Sequence, residues 1–133
     1  MTRYHLDTDF LLKALSGAGP ERDLLRAISD SAVEIEISAL AWYEFCRGPR
    51  SPEQEAVARS YLEASGVIEF DEHLAAQAAD LFRRLGSPRR RAFDIAIAAT
   101  AIARDAWLLT GNARDYSGIE GLLQGRAPHA PGA

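Results

Sequence analysis

Three carboxylates stand where an acidic side chain is costly. Asp7 directly follows Arg3-Tyr4-His5-Leu6, Glu44 lies inside Ala39-Leu40-Ala41-Trp42-Tyr43-Glu44-Phe45-Cys46, and Asp94 sits near the start of Phe93-Asp94-Ile95-Ala96-Ile97-Ala98-Ala99. An ionised carboxylate in apolar surroundings is unfavourable by several kcal/mol unless charge or hydrogen bonds compensate it. If the three converge, mutual repulsion adds to that cost, and a bound divalent cation relieves both. Each acid also has a structural reading. Asp7 or Asp9 can cap the helix that follows, Glu44 can point outward beside Tyr43 and Arg47, and Asp94 can be a first-turn acid favoured by the helix dipole and paired with Arg90 or Arg91. Singly, the two readings weigh about equally; jointly, the functional one gains. The loop Thr110-Gly111-Asn112-Ala113-Arg114-Asp115-Tyr116 adds Asn112 and Asp115, which are natural turn residues and also oxygen donors that can complete a metal shell. Just ahead of Asp94, Arg89, Arg90 and Arg91 either hold a nucleic-acid backbone near the metal or form a solvated basic turn.

The elements that must position these groups alternate between strands and helices. Arg3 to Leu6 reads as a strand, followed by a helix from about Asp9 to Leu15 that Ser16-Gly17 stops. Glu21 to Ser29 carries Leu24, Leu25 and Ile28 at helical spacing. Val33 to Ile37 alternates apolar and charged residues as a strand does, and Ser38 can cap a helix reaching Arg47 before Gly48-Pro49. A helix from Pro52 to Ser65-Gly66, a strand from Val67 to Phe70, and a helix from Glu72 to about Arg84 follow. Ala92 to Ala103 is apolar nearly all round, which marks a buried helix, and Ala106 to Leu109 is a short buried strand. Such alternation predicts an α/β fold of three layers, with a central parallel sheet of about four or five short strands and helices on both faces. In sheets of this kind, ligand sites lie at the carboxyl ends of the strands, where Asp7 and the 110–115 loop fall. One domain is expected over residues 1–124, with 125–133, rich in Gly, Pro and Ala, as a flexible tail.

Composition narrows the classes. At 133 residues, 47% hydrophobic and 26% charged, the chain is the size and character of one globular domain. No apolar run approaches the roughly 20 residues that span a bilayer, Asp7 and Asp9 interrupt any apolar signal core, and a single cysteine excludes an internal disulfide, so a cytoplasmic protein is expected. Cys46, among Trp42, Tyr43 and Phe45, reads as a small buried hydrophobe. The net charge of −4 decides nothing about nucleic acid, because the positive charge is almost all arginine and clusters at residues 83–84 and 89–91. No histidine suits a metal-free ribonuclease: His5 is on a strand, His73 starts a surface helix and His129 lies in the tail.

The order of these motifs resembles the PIN-domain family, particularly its VapC-type toxin ribonucleases. Leu6-Asp7-Thr8-Asp9 is similar to the family's opening Asp-Thr-Asn or Asp-Thr-Ser, and Glu44 to its glutamate in the helix after the second strand. Phe93 to Ala99 looks like its acid at the head of an Ala-rich helix, and Thr110 to Tyr116 like its Thr-x-Asn-x-x-Asp-aromatic loop. The likeness runs from Arg3 to about Leu123. Position 9 carries Asp where the family more often has Asn or Ser, and position 112 carries Asn, so the fourth carboxylate comes from Asp115, from Asp9, or is absent, with Asn112 as a neutral oxygen donor. The resemblance implies an endoribonuclease leaving a 5′-phosphate and a 3′-hydroxyl, with Asp7, Glu44, Asp94 and Asp115 catalytic and Asp7, Asp94 and Glu44 holding Mg²⁺ or Mn²⁺. It also implies a cognate VapB-like antitoxin and a homodimer; the Glu21–Ser29 and Pro52–Ser65 helices are the exposed candidates for those interfaces.

Rivals come from other classes. Asp7-Thr8-Asp9 also resembles the Asp-x-Asp of haloacid-dehalogenase phosphatases, and receiver domains share a layered fold with an acidic pocket. Both need a later lysine, whereas Lys13, the only one, is on the helix beside the triplet. A PIN-like RNA- or protein-binding module with an impaired metal site is the non-enzymatic alternative, kept open by Asn112.

Overall fold

The computed structural model describes residues 2–62 and 66–128. In chain order the elements are β1 (Arg3–Leu6), α1 (Thr8–Ser16), α2 (Glu21–Ser29), β2 (Glu34–Ser38), α3 (Ala39–Arg47), α4 (Pro52–Ser60), β3 (Val67–Ile68), α5 (Glu72–Arg84), α6 (Ala92–Ala103), β4 (Trp107–Leu109) and β5 (Leu123–Gln124). A 3₁₀ turn at Arg89–Arg91 precedes α6, and another at Ala113–Tyr116 follows β4. The strands form one five-stranded sheet in the order β3-β2-β1-β4-β5, and every neighbouring pair is parallel. Tyr4, His5 and Leu6 are consecutive on β1 and all buried, as are Ile35, Glu36, Ile37 and Ser38 on β2, so both faces of the sheet are covered. This is the predicted three-layer α/β architecture.

The direction of chain growth reverses beside β1, which pairs with β2 on one side and β4 on the other. The carboxyl ends of β1 and β4 therefore open side by side, which is where α/β sheets form clefts. The pairing runs to the last residue, as the Asp7 amide donates to the Leu109 carbonyl at 3.2 Å. Local signals start the helices sharply. Ser38 accepts from the Leu40 amide at 3.1 Å, so α3 begins as β2 ends. Ser51 and Gln54 form a reciprocal capping box with Pro52 in the first turn of α4, and Asp71 caps α5. Gly17, at φ +70°, closes α1 in the left-handed conformation that costs glycine least. The helix α6 is buried without a break from Ile95 to Ala101 and packs against α5 and α3, so it is held by its surroundings and needs no polar face.

From within β1 and β2, a charged network ties both strands to the end of α6. Glu36 is buried. It bonds the His5 ring at 2.6 Å and the Arg104 guanidinium at 3.0 and 3.1 Å, and Arg104 offers its carbonyl to Arg3 at 2.6 Å. Burial alone would raise the Glu36 pKa, but these cations and donors hold it below the ordinary carboxylate value. His5 is thus a fully buried structural group.

Several boundaries differ from expectation. The helix α1 begins at Thr8, one residue earlier than the sequence suggests, because Asp7 serves as its cap. The predicted strand Val67–Phe70 is only Val67–Ile68, since β2 ends at Ser38 and leaves nothing further to pair with. The helix α4 stops at Ser60, short of Ser65, which lies outside the described residues. The two-residue β5 and the 3₁₀ turns are too short for any periodicity to register. The segment expected as a tail is still attached where it starts: the Gly125 amide donates to Leu108, and the buried Ala127 donates its amide to the Tyr4 hydroxyl at 3.1 Å. Residues 129–133, His129 among them, lie outside the described residues.

Candidate active site

The site grows out of the way β1 hands over to α1. One oxygen of Asp7 accepts the Phe10 amide at 2.7 Å and caps α1; the other accepts the Thr110 hydroxyl at 2.5 Å from the loop after β4. The capping and functional readings of Asp7 are therefore compatible, because each uses a different oxygen. Asp7 is only 5% exposed, and burial raises its pKa against the lowering effect of the Thr110 and Phe10 bonds.

The neighbouring Thr8 reaches across to α3, its hydroxyl donating to Glu44 at 2.8 Å. Glu44 is half-buried and turned inward, while Tyr43 beside it is exposed and Arg47 stays 3.9 Å from the carboxylate. Asp94 lies in the first turn of α6. Its pKa is pushed up to about 6, first by burial and then by the negative charges of Asp115, Asp7 and Glu44, with Arg91 opposing. The acids from β1, α3, α6 and the second 3₁₀ turn are thus electrically one group. They line a single cleft of about 180 Å³, together with Thr8, Asp9, Leu12, Ile97 and Tyr116.

Among the three sequence candidates for a fourth donor, the geometry separates roles. Asp115 lines the cleft and is held by Asn112, whose side-chain amide donates to its carboxylate at 2.9 Å; Asn112 is exposed outside the lining. Asp9 pairs with Lys13 at 3.2 Å, and Lys13 also donates to the Gly111 carbonyl at 3.0 Å. That latch lies so close to the backbone that a Cβ at position 111 would run into Asp9 and sit 2.8 Å from Lys13. The arginine trio splits as well. Arg91 donates to the carbonyls of Asp115 (3.2 and 3.3 Å) and Ser117 (2.8 Å), anchoring the 3₁₀ turn, whereas Arg89 and Arg90 are exposed.

Four contributors carried no assigned role in the sequence: Thr8, Thr110, Lys13 and Tyr116. Both threonines sit inside the recognised motifs, which was the only signal. Tyr116 is 1% exposed, and its hydroxyl faces the Asp7 carboxylate without completing a well-formed hydrogen bond among the described residues. Burial, followed by the charges of Asp7 and Asp94, drives its pKa far above the ordinary phenol value, so it stays protonated. Cys46 belongs elsewhere: burial and the Glu55 charge push its thiol pKa up, as suits an inert packing residue.

The donor set is all oxygen and strongly negative, which fits a hard cation such as Mg²⁺ or Mn²⁺. Among the described residues no three acidic, histidine or cysteine side chains already close around one point. The carboxylates instead ring the cleft wall, an arrangement suited to an ion that keeps several of its waters.

A profile of the PIN domain family matches residues 4–119. Solved structures share the fold at low identity. VapBC2 from Rickettsia felis bound to a DNA fragment from its promoter superposes with a TM-score of 0.72 at 20% identity, covering 96% of this chain and 100% of that one. A toxin–antitoxin complex from Klebsiella pneumoniae gives 0.69 at 24% identity, with 90% and 95% covered. FitAcB from Neisseria gonorrhoeae gives 0.66 at 18%, with 92% and 96% covered. No curated protein matches.

Proposed function

The chain belongs to the PIN domain family, and from that premise we propose that it is a metal-dependent endoribonuclease, the toxin of a toxin–antitoxin pair. The observation that carries the reading is the convergence of Asp7, Glu44, Asp94 and Asp115 on one cleft, where burial first and then the charges of the other three lift the Asp94 pKa to about 6. Asp7 and Asp94 would hold Mg²⁺ or Mn²⁺, with Glu44 and Asp115 binding directly or through its waters. When bound, the ion supplies a water of lowered pKa and neutralises charge developing on the phosphorane oxygens.

The chain's own groups prepare that chemistry. Thr110 and the Phe10 amide fix both oxygens of Asp7, and Thr8 fixes Glu44, so the carboxylates need little reordering to act. Arg91 and Asn112 hold the turn that presents Asp115. Arg89 and Arg90, exposed at the head of α6, are placed to attract an RNA backbone.

Two features support an antitoxin partner: this fold recurs in toxin–antitoxin complexes, and a groove of about 450 Å³ adjoins the cleft. Leu12 lines both; Leu15, Arg22, Arg50 and Val57 continue the groove along α1, α2 and α4. A VapB-like antitoxin helix laid there would end beside the acids. A homodimer is the expected assembly on family grounds.

The enzyme reading is tested by incubating total RNA with the wild type and Asp94→Asn, in Mg²⁺ and in EDTA. Wild-type cleavage should require the metal. The variant should stay folded and lose more than the roughly 10–100-fold that changes outside the metal's direct ligands cost. Cleavage that survives EDTA would defeat the proposal. A folded wild type that binds RNA or antitoxin without cutting RNA would instead favour the binding-module reading, for which the open spacing of the acids speaks.

A further inference from the structure

Tyr116 is placed at a cost that phenylalanine would avoid. The ring fills apolar space in the second 3₁₀ turn, yet the hydroxyl is buried in the wall of the acidic cleft, facing the Asp7 carboxylate without a well-formed hydrogen bond among the described residues. A buried, unpaired hydroxyl is unfavourable. It is not needed to hold Asp7, whose two oxygens already accept from the Phe10 amide and the Thr110 hydroxyl. Thr8, the other hydroxyl of the cleft wall, is engaged in donating to Glu44. The Tyr116 proton faces the Asp7 carboxylate, so its lone pairs are what the cleft wall leaves uncommitted. Its surroundings are almost entirely hydrogen-bond acceptors, the carboxylates of Asp7, Asp94 and Asp115. The missing component is a donor, and water bound to a cation is a strong one.

We propose that Tyr116 is a positioning residue for the hydrated cation of this cleft, its hydroxyl oxygen accepting a hydrogen bond from a water on the ion while its proton turns to a neighbouring carboxylate. This rests on the metal-dependent reading above. The role is an outer one: Tyr116 orients a water and is not itself a ligand, so its removal should weaken ion binding without dismantling the fold.

The test compares the wild type, Tyr116→Phe and the control Tyr43→Phe, which alters an exposed tyrosine outside the cleft. Mn²⁺ affinity is measured by calorimetric titration, and thermal melting is followed in the metal-free proteins. Tyr116→Phe should bind Mn²⁺ about tenfold more weakly, the scale of losing a partner just outside the ligand shell. Its metal-free Tm should equal or exceed that of the wild type, because an unpaired hydroxyl has been removed. Tyr43→Phe should match the wild type in both. Unchanged Mn²⁺ affinity in Tyr116→Phe overturns the proposal while leaving the metal site standing. A metal-free Tm several degrees lower also overturns it, since the hydroxyl would then be a bonding partner within the fold. A wild type that takes up no Mn²⁺ removes the metal reading itself, and this inference with it.

Discussion

Asp94 couples the site to pH. The folded protein holds its proton more tightly than the unfolded chain, since its pKa is about 6 against an ordinary value of 3.8. The native state therefore binds more protons across that interval, and this group makes the metal-free fold progressively less stable as pH rises from about 4 to about 6, with no further loss above. Glu36 acts in the opposite sense: its pKa is lowered, so its contribution is present above its ordinary value of 4.5 and is lost as pH falls through the folded value. Asp94→Asn removes only the first effect. Its metal-free Tm should exceed the wild-type Tm at pH 7, and the gap should open between pH 4 and 6. Melting curves across that range check this, and a gap independent of pH would count against the charge crowding. Mg²⁺ should close the gap from the wild-type side at pH 7, because it binds the folded protein only.

At the level of elements, the acids are only as well placed as the apolar helices and strands that carry them. The helix α6 has no side-chain cap and little polar surface, so its position depends on packing. Ile95, next to Asp94, is fully buried. Ile95→Ala should destabilise the fold by about 2–5 kcal/mol, the usual cost of truncating a buried aliphatic side chain, measured as a shift in the urea unfolding midpoint. A cost below about 1 kcal/mol would mean that α6 is held by something other than its core face. The groove beside the cleft poses a different question of packing. Val57 on α4 is an exposed apolar residue lining it. If the proposed toxin reading holds, Val57→Glu should leave RNA cleavage by the free protein intact yet release the chain from a co-expressed antitoxin, read as restored growth arrest. Neutralisation that persists would move the partner's seat elsewhere.

Across the whole molecule, the acids gather beyond the carboxyl ends of the strands, while the strands themselves carry the Glu36–His5–Arg104 network, in which Glu36 and His5 are buried and Arg104 is partly exposed. Removing one partner of such a network leaves a buried one without compensation. Glu36→Ala should therefore cost about 1–3 kcal/mol in unfolding free energy, because the buried His5 ring loses its partner while Arg104 can turn to water, and it should leave the Mn²⁺ affinity of the remaining folded protein unchanged. Altered affinity with preserved stability would show that the network and the cleft are coupled in a way the packing does not suggest.

Much of this was legible from residue order. The alternation of short apolar strands with amphipathic segments dictates a covered parallel sheet, because such strands have no face to show water. The apolar settings of Asp7, Glu44 and Asp94 were visible for the same reason: a carboxylate inside an apolar run is conspicuous by its cost. Contacts between groups far apart in the chain were not legible. The different settings of Asp9, Asn112 and Asp115 come from Lys13 latching Asp9 to the Gly111 backbone and from Asn112 bonding Asp115. The division of the arginine trio turned on carbonyls some two dozen residues away, to which Arg91 bonds. The short β5 and the unpaired Tyr116 hydroxyl were equally hidden. Periodicity and burial cost act along the chain and leave a mark in it, whereas a hydrogen bond across the fold depends on distances that only tertiary packing sets.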